Sequence, residues 1–528
     1  MKKQLEMFLN GIRKAPWETI QSIQKNQPAT PPKCLHHTSS AISPIHNNKI
    51  SEKIFALRKE EDFAVLIAWL KQILPSLPKI LARSVGHTYS ASLVRQGLSS
   101  VSAQAVIRIQ SPIKPSQEVQ SYIRRQVVGL CDRSLVAGSI RLQFSSGDST
   151  LLAGSFHESG LEGSLKQVGA DEEDNTCKFP HWKRFWPRPG MSASIGLLCT
   201  RKVSATACCY VDMDGEKLLL TVNHFIEDSR SRNDNGVEDK LSLTSPALLE
   251  IDEMIRYFDQ FLLAVDIEIE EALQNQYGDT LPSILEYSDE ILALEEKKKY
   301  AQRLLEESSR LKDENHIIFA SVVHQNKSDS RISIGKIAAL WSEFGYTDIK
   351  IRHRMDWALF SVSKRAGINR IRYKIDPNEG MVDFYSGDIE KWGAGESCQR
   401  TCNVEANAKV YYVGQTSGRQ LAEINAAPMQ VSRDGIVTLE WALTVPEEEQ
   451  KEDKKYARDS GAGIMRISDN SLAGLLWGCQ DNQLIFTPIN DVFTDIKEQT
   501  GAANVDLPPT RTDPTPPPIR EGTHPYLS

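Results

Sequence analysis

Residues 206–225 read TACCYVDMDGEKLLLTVNHF. Two apolar runs flank a turn at Asp214 and Gly215, the pattern of a β-hairpin, and the second run leads straight into His224. A histidine at a strand end stands beside a cleft. With a pKa of about 6.5 its imidazole suits proton transfer, taking a proton from a hydroxyl and returning it to a leaving amine.

Working outward, short strands with small-residue turns recur in AKVYYVGQTSG (408–418), GIVTLEWALTV (435–445), AGIMRIS (462–468) and LAGLLWG (472–478). Such spacing predicts an all-β region from Met191 to about Thr500. One block breaks the pattern. Leu248, Ile251, Ile255, Phe258, Leu262, Val265, Ile269 and Ala272, then Ile284, Tyr287, Ile291, Leu294, Ala301 and Leu305, follow the three-and-four spacing of helical seams. This predicts a helical hairpin inserted at 243–312, turning at Gly278 to Pro282; the alternative is a separate oligomerising coiled coil.

Upstream, EEDFAVLIAWLKQIL (60–74) and QEVQSYIRRQVVGLCDR (117–133) have helical spacing, VSAQAVIRIQS (101–111) alternates like a strand, and SIRLQFSSGDSTLLAG (139–154) reads as a hairpin. Residues 53–165 are therefore expected to form a small α/β domain, in which no cluster suggests chemistry. Flanking it are an N-terminal extension, 1–52, expected to be partly disordered, and a linker, 166–185. The Pro-rich tail, 501–528, is expected to be disordered.

Composition narrows the partners. The 528 residues carry a net charge of −7, which offers no basic field for nucleic acid and no polybasic membrane anchor. No apolar stretch approaches the ~20 residues of a bilayer span, and the start MKKQLEMFLNGIRKAPWE lacks the apolar core of a secretory signal, so cytoplasmic residence is expected. Nine scattered cysteines suit reduced thiols. Zinc sites usually pair two C-x₂₋₄-C or H-x₃₋₅-H elements; Cys208-Cys209 and Cys398-x₃-Cys402 supply one such pair and read as buried thiols, and Gly-rich phosphate loops are missing, so neither metal nor cofactor is expected.

Two further segments hold complementary groups. In RMDWALFSV (354–362), Asp356 opens an alternating apolar strand, placed to hold an imidazole N–H in one tautomer. In ARDSGAG (457–463), small residues around Ser460 permit a tight turn that exposes the hydroxyl and directs backbone N–H groups at a developing oxyanion. Each alone marks an ordinary turn or cap as readily as a site.

Taken in order, the three resemble the histidine, aspartate and serine motifs of chymotrypsin-like (trypsin-like) serine peptidases: LTVNHF, MDWALF and RDSGAG. RPGMSASIGLL (188–198), VYYVGQTSG (410–418) and LAGLLWGCQDNQLIFTPINDVFTDI (472–496) extend the resemblance over 186–500, nearest to fungal intracellular members of that family. The resemblance implies a mainly β, double β-barrel domain with a helical insertion, preceded by the α/β segment. It implies a triad of His224, Asp356 and Ser460, and an oxyanion hole of the Arg458 and Ser460 backbone N–H groups. It also implies a substrate-pairing strand around Leu476, Trp477 and Gly478, with Lys454 at the pocket base. About 130 residues separate His224 from Asp356, more than a compact barrel uses, and the helical insertion accounts for the excess.

Arginine at 458 departs from the family's glycine, and a side chain there resists the backbone angles that glycine accepts. Two readings follow: a serine endopeptidase acting on a protein or peptide, or a degenerate peptidase fold that binds a protein partner through the helical insertion or the N-terminal domain. GMSASIG (190–196) lacks the Ile-Val-Gly-Gly terminus of cleavage-activated relatives, so activation by a new N-terminus is not expected.

Overall fold

The structure is a computed structural model, and it describes residues 52–133, 140–147, 150–151, 189–198, 203–226, 242–245, 247–277, 289–313, 318–325, 332–336, 350–362, 367, 369–371, 397–433, 435–446, 458–480 and 483–509. The chain divides into two units, residues 1–50 and 51–528, and everything described belongs to the second. The expected linker at 166–185 and most of the N-terminal extension lie outside the described residues.

After β1 (Lys53–Phe55) a single helical run comprises α1 (Phe63–Ala68), a wider π turn at Trp69–Ile73 and α2 (Leu74–Ser84). Pro75 and Pro78 lack the N–H groups that a regular helix would spend on preceding carbonyls, and the chain relaxes into the wider turn just ahead of them. Phe63–Ser84 is long and apolar enough to cross a membrane by length and composition. Trp69, Ile73, Leu77 and Leu81 are nonetheless fully buried among sheet residues such as Leu93 and Trp441.

Next come β2 (Tyr89–Gly97), β3 (Gln104–Ser111), α3 (Gln117–Arg133), β4 (Ile140–Ser146) and β5 (Thr150–Leu151). The expected hairpin at 139–154 is not what forms. Helix α3 carries the chain back so that β4 pairs parallel with β3, while β5 pairs antiparallel with a distant strand, Gly478 opposite Leu151 and Cys479 opposite Thr150. Local turn chemistry lost to the open edge of β3, along which β4 pairs at seven positions.

The β-rich region supplies β6 (Ser194–Leu197), β7 (Ser204–Thr206), β8 (Cys209–Met213), β9 (Glu216–Thr221) and β10 (Ser242–Thr244). Strands β8 and β9 are the hairpin read at 206–225, turning through left-handed Asp214 and Gly215. The expected helical hairpin follows as α4 (Leu248–Tyr277) and α5 (Asp289–Asp313), whose seam buries Leu248, Ile251, Phe258 and Ala301. Then come β11 (Ile318–Gln325), β12 (Ile332–Lys336), β13 (Lys350–Arg354), β14 (Ala358–Val362), β15 (Lys409–Gly414), β16 (Gly418–Ile424), β17 (Met429–Arg433), β18 (Ile436–Thr444), β19 (Gly463–Arg466), β20 (Leu472–Gln480), β21 (Gln483–Pro488), α6 (Ile489–Thr500) and β22 (Val505–Asp506).

The molecule is mainly β, in several sheets. One has the order β22-β8-β9-β14-β11-β10-β6-β7, and a larger one runs β16-β15-β19-β20-β21-β18-β17-β2-β3-β4. A further β16–β18 pairing joins six strands of the larger sheet into a ring. The other sheet is an open path, so the expected pair of closed barrels is not found among the described strands. Through β17 and β2, the 53–146 segment continues the hydrogen-bonded ladder of the C-terminal strands. Part of the tail expected to be disordered is ordered: β22 pairs with β8, and Val505 and Leu507 are buried.

Candidate active site

Each of the three candidate side chains sits where a regular strand ends. His224 follows β9 by three residues, Asp356 lies between β13 and β14, and Ser460 precedes β19. Pairing of β9 with β14, Thr221 opposite Ala358, brings the first two together. His224 Nδ1 is hydrogen-bonded to Asp356 Oδ2, and Ser460 Oγ lies 3.0 Å from His224 Nε2. The carboxylate can only accept, so Nδ1 carries the proton and Nε2 turns its lone pair to the hydroxyl.

Asp356 Oδ1 meanwhile accepts the backbone N–H groups of Asn223 and His224, both at 2.9 Å. Burial by itself would push this carboxyl up. The charge and hydrogen bond of His224, with help from Arg354 and the His224 N–H, outweigh burial and hold it well below its usual range. Beside it, the Trp357 indole N–H donates to Asp495 Oδ2 at 2.7 Å, tying the aspartate-bearing turn to α6.

The serine turn is fixed from three directions. Asp459 Oδ1 accepts the backbone N–H groups of Thr416 and Ser417, at 2.8 and 3.2 Å, in the β15–β16 turn. Thr206 donates its hydroxyl to the Arg458 carbonyl at 3.0 Å and its N–H to the Ser460 carbonyl at 2.8 Å. Gly461 takes φ 93°, and a Cβ there would stand 2.1 Å from the Thr206 carbonyl oxygen, so only glycine fits.

Arg458 does what its side chain was expected to resist. It adopts φ 75°, the left-handed region, at a cost of about 1–2 kcal/mol for a residue with a Cβ. Its guanidinium forms a two-pronged pair with Glu253 of α4, Nη1 to Oε2 at 2.9 Å and Nη2 to Oε1 at 2.8 Å.

Of the expected substrate-strand residues, Leu476, Trp477 and Gly478 lie on β20, where the register with β21 shifts between Leu476 and Gly478. The Trp477 carbonyl oxygen lies 3.3 Å from Ser460 Oγ, and the Arg354 guanidinium sits over the Trp477 ring. Strand β5 occupies the adjoining edge at Gly478 and Cys479, and Ser460 is 0% exposed. A bulky substrate reaches the hydroxyl only after something moves. Lys454 lies outside the described residues.

Comparison with other proteins finds only distant likenesses. No family model and no curated protein matches the sequence. Among solved structures, the chain is similar to a glutamic acid specific serine protease that utilizes a novel histidine triad in substrate binding. Identity is 9%, over 61% of this chain and 100% of that one, with a TM-score of 0.28. Thermobifida fusca Protease A gives the same identity and TM-score over 98% of its length. Cellulomonas bogoriensis chymotrypsin gives 15% identity over 36% of this chain and 76% of that one, with a TM-score of 0.20. At such values the functional reading rests on the site's own geometry.

Thr206, Glu253, Asp495 and the partner of β5 escaped the sequence reading. Thr206 stood within the decisive hairpin but carried no motif. Glu253 was one acid among many on an inserted helix, and nothing in the sequence marks which of them meets Arg458.

Proposed function

We propose that the chain is a serine endopeptidase of the chymotrypsin-like kind, working through His224, Asp356 and Ser460. The observation that carries this reading is the unbroken line from carboxylate through imidazole to hydroxyl, made by residues 132 and 236 positions apart in the chain. Ser460 Oγ attacks a peptide carbonyl as His224 Nε2 takes its proton, and the new C–O bond leaves negative charge on the carbonyl oxygen. Asp356 stabilises the imidazolium so formed. Collapse of the tetrahedral adduct breaks the C–N bond, with His224 returning the proton to the departing amine. Water then repeats the sequence on the acyl-enzyme. Backbone N–H groups of Ser460 and Arg458 receive the oxyanion.

In the resting form the substrate's place along β20 is taken by β5. The test is labelling by a biotinylated fluorophosphonate, run on the full chain and on a Thr150→Pro/Leu151→Pro variant that strips both residues of the N–H groups a strand ladder uses. Label on the peptide containing Ser460, abolished by Ser460→Ala and slowed about 10³-fold or more by His224→Ala, is the expected result. Folded protein that stays unlabelled in both forms overturns the reading.

A further inference from the structure

The bidentate pair between Arg458 and Glu253 joins two parts of the molecule with no reason to meet if the helical hairpin were a passive insertion. Glu253 lies near the start of α4, and that start is itself pinned to the strand layer. The Ala247 N–H donates to Ser194 Oγ at 3.1 Å, and the Ser245 hydroxyl donates to the Ser194 carbonyl at 2.8 Å. Side chains on both sides of the pair are largely covered, 6% exposed for Arg458 and 17% for Glu253, so the contact is shielded from solvent screening. Its geometry is the fixed fork of guanidinium on carboxylate, which constrains orientation as well as distance.

What the fork holds is a backbone under strain. Arg458 sits at φ 75°, where a residue with a Cβ is disfavoured, and such a conformation persists only when its surroundings over-determine it. Two contacts do so from opposite ends of the residue: the Thr206 hydroxyl on its carbonyl and Glu253 on its side chain. Resting on the peptidase reading above, we infer that Glu253 is a positioning residue for the oxyanion hole, using the helical insertion to hold the Arg458 peptide in the orientation that glycine would adopt unaided. The arginine thus replaces the freedom of glycine with a tether, and the competence of the hole depends on where the insertion sits.

The experiment is a double-mutant cycle on the full chain with Glu253→Gln and Arg458→Gly, read by fluorophosphonate labelling and by urea unfolding. Glutamine keeps the size of the side chain and removes its charge and one arm of the fork. In the wild-type background Glu253→Gln is expected to slow the covalent step at least about tenfold, part of the 10²- to 10³-fold that loss of one oxyanion donor costs, with the probe's binding constant unchanged. In the Arg458→Gly background the same change is expected to leave the rate where it was, because glycine needs no tether. Unfolding midpoints should show the same coupling: a fall with Glu253→Gln beside Arg458, none beside glycine.

A rate at or above wild type for Glu253→Gln, or an equal loss in both backgrounds, overturns the inference. Folded protein that takes no label, either as wild type or with Thr150→Pro/Leu151→Pro, sinks the peptidase reading and the catalytic role with it. Independent unfolding effects at 253 and 458 sink the tether whatever the label does.

Discussion

At the residue scale, the behaviour of Asp356 follows from what surrounds it. Its carboxyl is held below the ordinary 3.8 by contacts that exist only in the folded chain. Its contribution to stability is therefore complete above that ordinary value and drains away as pH falls through the lower folded one. Urea unfolding followed from pH 5 downward should show a steeper acid loss for wild type than for Asp356→Asn; parallel curves would contradict the assignment. Gly414 makes a steric prediction. A Cβ there would lie 2.2 Å from the Asp459 carboxyl carbon, so Gly414→Ala should displace the residue before Ser460 and cost about 1–3 kcal/mol in unfolding free energy. His224, Asp356 and Ser460 were legible because each ends or begins an apolar run within a short motif. Thr206 was not, since a threonine on a strand becomes an anchor only when a loop 252 positions away reaches it.

Among elements, α6 and β5 matter most to the site. The buried hydrogen bond from Trp357 to Asp495 fastens the Asp356 turn to α6, and an indole N–H left without its charged acceptor is costly. Asp495→Leu should lower stability by about 1–3 kcal/mol, the range for an orphaned buried donor, and slow labelling of Ser460; an unchanged melting temperature would show that α6 is not the fastening. For β5, the backbone pairing with Gly478 and Cys479 predicts that the Thr150→Pro/Leu151→Pro chain is labelled faster than wild type. Helices α4 and α5 were visible in advance, because apolar spacing over 30 and 25 residues overrides short-range ambiguity. The partner of β5 was not, since a two-residue strand has no periodicity to read.

At the scale of the whole molecule, burial decides the chemistry of two described thiols, Cys398 and Cys209. Cys398 is pushed up to about 12, first by burial and then by the neighbouring Cys208, and Cys209 is raised for the same reasons. Neither forms a thiolate at neutral pH. Reaction of these two with a disulfide reagent should wait for unfolding in denaturant, and rapid modification of the native chain would refute that burial. The sequence alone determined the mainly β character, the site of the helical insertion, the three candidate side chains and their order, because periodicity and short motifs are local properties of the chain. Only the tertiary structure decided that one strand ring closes while the other sheet stays open among the described strands, that β5 leaves its expected hairpin for β20, and that Glu253 grips Arg458. Those outcomes depend on which distant edges and charges meet once the core has formed. Hydrogen bonds and ion pairs between remote residues leave no pattern in the order of amino acids.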